Sequence, residues 1–228
     1  MPRVRPEERL ATLADAATAA FGRLGYRGTR VADVAAEAGV SAGSVFNYVE
    51  SKESLFHLVF AHGFGRLDAT PTLPMATPAP GETARLIEDS LRAVPVPRLR
   101  DALKHAEPTD VGAELRGIIE ERYAVLEKSW PLFAVIERCA VELPDIEAVY
   151  FQRTRSRYFS QLARYLKARA DAGLLRQMPD TAIVARLVTE TITWFAWHRR
   201  EGRDAHLYDD DAARKTVTEF VCAALLPS

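Results

Sequence analysis

Cysteine is scarce in this chain of 228 residues: only Cys139 and Cys222 occur. Both fall on apolar helical patterns, and neither has a second Cys or a His at metal-ligand spacing. A disulfide scaffold and a zinc site are therefore not expected, and buried free thiols in a reducing compartment are. Net charge is nearly absent too, at −1. Overall electrostatics thus gives no support to nucleic-acid binding, and any such contact must come from a local surface. Long apolar runs are missing: no stretch approaches the ~18 residues of a membrane span, and no apolar segment follows the Met-Pro-Arg-Val-Arg start. A soluble, cytoplasmic protein with no membrane contact is expected. Sustained period-two alternation is missing as well, so the expected fold class is all-α. No internal repeat, nucleophile–base pair, metal cluster or phosphate-binding glycine loop is evident, so neither an enzyme nor a cofactor is expected. His105, His198 and His206 show no metal spacing.

What is there is helical periodicity. Leu10, Leu13, Ala14, Ala17, Phe21 and Leu24 form an amphipathic stripe, with Pro6 suited to its first turn and Gly25 to its end. Short helices follow from about Val31 to Ala38 and from about Ala42 to Tyr48. Ser51 reads as the N-cap of a fourth helix through Leu55, Leu58 and Val59 towards Phe64. Pro71, Pro74, Pro78 and Pro80 with Gly81 break the pattern. That segment reads either as a linker between domains or as a loop within one. Beyond it, Leu86, Ile87 and Leu91 form a short stripe. A longer helix carries Leu115 to Leu126, and another is expected to begin at Trp130-Pro131. A long helix is expected from Asp145 to Ala172, closed by Gly173. Asp180 caps a helix through Ile183, Leu187 and Trp194, and the last helix starts near Asp209.

The segment from Val31 to Tyr48 carries the functional signal. Val34, Ala35 and Ala38 make the buried face of a two-turn helix, Gly39 permits a sharp turn, and Ser41 caps the next helix. Val45 returns to the core. This spacing of a small residue, a glycine and an aliphatic is that of a helix-turn-helix. The third helix exposes Ala42, Gly43, Ser44, Phe46, Asn47 and Tyr48, and no acid lies between Glu37 and Glu50. A carboxylate there would repel phosphates. Small residues allow close approach to a groove, and helix N–H groups can meet a phosphate. Phe46 either contacts a thymine methyl or packs at the domain rim; Asn47 suits a base edge or a phosphate; Tyr48 and Lys52 suit phosphates.

The run Ala38-Gly39-Val40-Ser41-Ala42-Gly43-Ser44-Val45-Phe46-Asn47-Tyr48-Val49-Glu50-Ser51-Lys52-Glu53 closely resembles the signature of the TetR (tetracycline-repressor-like) family. Gly25-Tyr26 and Asp33-Val34-Ala35 match it too. The resemblance implies a helix-turn-helix DNA-binding domain over 1–53, a connecting helix over about 51–66, and a helical effector-binding and dimerisation domain over 67–228. It implies a homodimer that reads a near-palindromic double-stranded operator and is released by a small-molecule effector. Ser41 to Ser44 then start the recognition helix, and Phe46, Asn47, Tyr48 and Lys52 match groove and phosphate contacts. Three departures stand out. Phe46 replaces the more usual Tyr, Val49 replaces an aromatic, and Arg30 sits where Ser or Thr commonly caps the second helix. Thr29 is expected to take over that cap, with Arg30 as a phosphate or base-edge contact. Arg3 and Arg5 suit a basic arm or a plain tail.

In the remainder, the resemblance suggests a ligand cavity lined by some of the aromatics, with Tyr123, Trp130, Phe133, Phe151 and Phe159 as candidates against ordinary core packing. It places the dimer contact on the last two helices, with Leu187, Trp194, Trp197, Val217, Phe220 and Val221 as candidates. Two other readings stay open: a ligand-independent DNA-binding activator or nucleoid factor, and a helical enzyme or protein-interaction module.

Overall fold

The computed structural model describes residues 6–94, 96–105, 108–202 and 205–227. Arg3 and Arg5 lie outside them. In chain order the α-helices are α1 (Pro6–Gly28), α2 (Val31–Glu37), α3 (Ala42–Val45), α4 (Lys52–Gly63), α5 (Glu82–Ala93), α6 (Pro97–Ala102), α7 (Val111–Ala140), α8 (Pro144–Glu147), α9 (Ser156–Asp171), α10 (Thr181–Ala196) and α11 (Asp210–Leu225). Among the described residues there is no strand, only one isolated bridge between Val49 and Met75. The all-α expectation holds. No helix of the described residues is long and apolar enough to cross a membrane.

The chain forms two compact units, one from residues 1–94 with 131–154, the other from 95–130 with 155–228. In the first unit, α1 packs on α2 and α4, and α2 on α3. Its core is the stripe read from the sequence: Leu10, Leu13, Ala17 and Phe21 of α1 against Val34, Val45, Leu55, Leu58 and Phe60, all fully buried. Each such side chain contributes about 1.5–3 kcal/mol relative to exposure. Phe56 meets Phe21, Tyr26 and Phe60 edge-on, with ring centroids 5.1 Å apart in each pair. α1 breaks at Gly25, at φ 75 and ψ 177, a conformation that belongs almost solely to glycine. A Cβ there would lie 2.7 Å from the Glu142 carboxylate, which accepts a hydrogen bond from the Arg27 backbone N–H.

The proline-rich segment is not a free strap. Met75 donates its N–H to the Tyr48 carbonyl (2.8 Å) and accepts from the Glu50 N–H (3.0 Å). Two residues on, the Thr77 N–H donates to the Glu50 carboxylate at 2.9 Å and its hydroxyl to Ser51 Oγ at 2.9 Å. These bonds explain why α3 is shorter than its apolar pattern suggests. It stops at Val45, and the chain passes through turns to Tyr48, whose carbonyl bonds outside any helix.

In the second unit, α9 and α10 pack together, α10 packs on α11, and α6 packs on α9. Leu115, Ile119, Tyr123, Leu126, Tyr165, Leu166 and Ile192 are among its buried residues. Arg169 is almost wholly buried and well anchored. Its guanidinium donates to both Glu114 oxygens (2.8 and 3.1 Å) and to the carbonyls of Ala102 and His105 (2.8 Å each).

Two expected boundaries fail. No helix begins at Trp130-Pro131; α7 runs through Pro131, although proline removes one helical bond and crowds the carbonyl four residues back. Leu126 before it and Leu132, Phe133, Val135 and Ile136 after it are all buried, and that packing outweighs the lost rung. The division between the units also falls at this proline. The helix expected over Asp145–Ala172 is α8 and α9 joined by a π-helical stretch, Ala148–Arg155.

Candidate nucleic-acid interface

The geometry of the reading element follows from its caps. The Arg30 N–H donates to the Asp33 carboxylate at 2.7 Å, which starts α2 with an acid at its positive end. The turn after α2 is made by Gly39 at φ 66, where a side chain would be strained. Ser41 Oγ then accepts from the Ser44 N–H at 3.2 Å and bonds its hydroxyl at 2.7 Å. Ser51 repeats the device for α4, accepting from the Ser54 N–H at 3.1 Å.

The surface this creates is small and uncharged. Ala42, Gly43, Phe46 and Asn47 are exposed, and Phe46 keeps 47% of its surface open. A Cβ at Gly43 would meet nothing within 4 Å, so this edge of α3 is bare. Ser44 and Tyr48 are half-buried and share a hollow of about 200 Å³ with Asn47, Val40, Leu13 and Arg9. Arg9 was not legible as part of this surface. It lies on the first helix, 35 positions before Ser44, and only the packing of the three helices brings it there.

The cations around the face are uncommitted. Arg9, Arg30 and Lys52 have no carboxylate partner among the described residues, whereas Arg23 pairs with Glu37 at 3.4 Å. Lys52 Nζ lies 4.6 Å from the centre of the Tyr26 ring, and its charge also helps to lower the Glu53 carboxyl. The Tyr26 hydroxyl donates to Glu53 at 3.0 Å. The Glu53 carboxyl is held below its ordinary range, chiefly by its own backbone N–H and then by Tyr26 and Ser51. Thr29 departs from expectation. It is buried, and its hydroxyl donates to the carbonyls of Gly25 (2.7 Å) and Ala20 (3.2 Å), so it ties α2 to α1 and offers nothing to DNA.

This face joins a capped turn, a short bare helix and three unpaired cations. Residues 13–59 match the family model described as bacterial regulatory proteins of the tetR family. Residues 122–225 match the AefR-like transcriptional repressor C-terminal domain.

The chain belongs to the TetR family of transcriptional regulators.

As a TetR-family protein it is a DNA-binding regulator of transcription. No curated protein matches it significantly. Its fold is similar to the ketosteroid transcriptional regulator KstR2 of Mycobacterium tuberculosis, at 18% identity over 96% of each chain and a TM-score of 0.59. It is also similar to the fatty acid degradation regulator FadR from Bacillus halodurans (19% identity, 94% of each chain, TM-score 0.51). A third likeness is AibR in complex with isovaleryl coenzyme A and operator DNA, at 14% identity over 93% of this chain and 97% of that one, with a TM-score of 0.52. At these identities the likeness is one of fold.

The candidates further along the chain scatter. Phe133 and Phe151 belong to the first unit, where each lies against Tyr150, with ring centroids 6.0 and 5.0 Å away. Tyr123, Trp130 and Phe159 belong to the second unit. Tyr123 is fully buried and donates to the Phe195 carbonyl at 3.2 Å. Arg155 and Arg186 lie over the Phe159 ring, 5.5 and 4.7 Å from its centre. Of the residues suggested for a dimer contact, Trp197, Val217 and Val221 are buried within the chain and present no surface to a partner. Leu187 (62% exposed), Phe220 (65%) and Trp194 (45%) are open, as is Ile183. Ile183 was not among those residues, and it lies four positions before Leu187 on α10, at the spacing that puts the two on one helix face.

Proposed function

We propose that this regulator is a ligand-responsive repressor which binds a near-palindromic operator as a homodimer and is released by a small molecule. The observation that carries the reading is the acid-free face of α3 flanked by unpaired Arg9, Arg30 and Lys52. In this reading residues 1–53 read DNA, helix 51–66 connects, and 67–228 hold the effector and the dimer contact. Ser41, Ala42, Gly43 and Ser44 sit against the groove wall, and Phe46 meets a thymine methyl. Asn47 bonds a base edge, and Arg30, Tyr48 and Lys52 hold phosphates. Exposed Ile183, Leu187, Trp194 and Phe220 form the dimer contact. Such large apolar side chains on two neighbouring helices suit a buried partner face.

The effector works by population shift. It favours dimers whose recognition helices no longer match the ~34–36 Å between successive major grooves. Support for a small molecule comes from the relatives: AibR is described with isovaleryl coenzyme A and operator DNA, and KstR2 as a ketosteroid regulator. Tyr123, Trp130 and Phe159, all of the second unit, are the candidate wall residues. The site of action is the cytoplasm.

Selection of bound sequences from random duplex DNA tests the core of this. An inverted repeat with half-sites about one helical turn apart is expected. Recovery of no symmetric sequence at low salt would refute operator recognition by a dimer.

A further inference from the structure

The first unit contains a cavity of about 290 Å³ that the repressor reading does not use. Its walls come from the end of α1, the start of α4, residues 78–84 and residues 143–146. Phe56, Pro80 and Ile146 make apolar surface, while Tyr26, Glu53, Thr83 and Asp145 carry the polar groups. No lysine, arginine or histidine lines it. Glu53 and Asp145 are exposed residues at the rim of this otherwise largely apolar space, and no cation stands among the residues that line it. The volume is near the lower end of the ~300–1,000 Å³ usual for small-molecule sites, which suits one ring with a short tail and not a nucleotide.

We propose that this cavity binds a small organic cation, an apolar body bearing one protonated amine that pairs with Glu53 and Asp145. An anionic ligand is disfavoured there by like charge. The site is joined to the DNA-reading surface in two ways. The 78–81 wall continues upstream into Thr77 and Met75, whose bonds to Glu50, Ser51 and Tyr48 hold the end of the recognition turn. Glu53 receives the Tyr26 hydroxyl, and Tyr26 carries Lys52 over its ring. An occupant thus bears on both supports of Tyr48 and Lys52. This coupling rests on the reading that these two residues meet phosphate; the binding itself does not.

Isothermal titration of the full chain with phenethylamine, without DNA, tests the site. One amine per chain is expected. Binding of 2-phenylethanol should be roughly three- to tenfold weaker, because partly exposed carboxylates contribute modestly, and that of 3-phenylpropionate weaker still. Ala79→Trp sets an indole on the exposed rim and should abolish binding; Asp145→Asn should level the preference between amine and alcohol. Failure of the amine to bind, equal binding of amine and acid, or undiminished binding by folded Ala79→Trp overturns the proposal. If Ala79→Trp does not fold, Asp145→Asn decides alone. A second titration asks whether phenethylamine shifts DNA affinity in the wild type and not in Ala79→Trp. No shift overturns the coupling. Loss of DNA binding under every condition counts against the repressor reading and leaves the amine result intact.

Discussion

Arg9→Ala offers the sharpest measurement on the DNA face. Arg9 lines the hollow with Ser44, Asn47 and Tyr48 and has no carboxylate partner among the described residues, so its removal breaks no ion pair. If the hollow seats a phosphate, one charge is lost per half-site. The slope of log K against log salt then falls by about 0.9 per chain, or about 1.8 for a dimer on two half-sites. A charge-assisted hydrogen bond of this kind contributes about 1.5 kcal/mol, so two lost together weaken binding by roughly 100-fold at low salt. The assay is fluorescence anisotropy over a salt series, on the selected operator and on an unrelated duplex. Both DNAs should show the same change, since phosphate carries no sequence information. Asn47→Ala is the control of opposite kind. It should keep the slope and cost about 1–3 kcal/mol of discrimination against a changed base pair. An Arg9→Ala slope equal to wild type, with unchanged melting, would refute the assignment of the hollow to phosphate.

Other outcomes follow from single contacts. Leu187→Glu or Phe220→Glu should turn a sedimenting dimer into a monomer and leave the helical CD signal intact. Arg169→Met leaves Glu114 and two carbonyls unpaired in the second unit, and should destabilise it by about 3–5 kcal/mol in urea melts. His57, whose Nδ1 lies 3.0 Å from the Thr83 hydroxyl, has its pKa lowered below 6.5 by burial. The folded unit therefore binds fewer protons than the unfolded chain. The stability from a neutral His57 is complete above pH 6.5 and is lost as pH falls from there through the folded value. His57→Asn should flatten the melting curve against pH in that window. Burial pushes the Cys139 thiol up to about 12, so a thiol reagent at neutral pH should label it only after unfolding.

Caps and turns were legible because they act within four residues. Ser41, Ser51, Asp180 and Asp209 each accept the N–H that an N-cap residue should, and Gly39 takes the positive φ its turn requires. Tertiary effects were not legible. Pro131 reads as a helix start by local rules, and only buried neighbours on both sides keep α7 intact. Thr29 reads as a cap for α2, yet its hydroxyl turns back to the Gly25 and Ala20 carbonyls of α1. The segment 71–80 reads as a loop because the hydrogen bonds of Met75 and Thr77 go to residues 25 or more positions earlier. Arg9 fails for the same reason: its neighbours in the hollow are remote in sequence.

The bareness of α3 bears on how this protein tells one sequence from another. Bidentate recognition of guanine needs Arg or Lys on the groove face, and α3 presents none. Asn47 is the one amide there, and Phe46 offers an apolar edge. Two such contacts per half-site, at about 1–3 kcal/mol each, sum to about 4–12 kcal/mol over a dimer's two half-sites, so at the weak end of that range they supply only the bottom of the ~4–10 kcal/mol that separates specific from non-specific binding. The shape of the DNA is the second source of discrimination open to such a face. A helix edge with only a methyl at Ala42 and no side chain at Gly43 lets the backbone approach closely, so phosphate contacts from Arg9, Arg30 and Lys52 are made only where the groove has the right width. Sequence steps that set that width then become part of the operator without being touched. Selected operators should accordingly conserve positions between the Asn47 contacts and the dyad, and replacing those steps should weaken binding without changing the salt slope. Uniform tolerance at all untouched positions would assign the specificity to direct contacts alone.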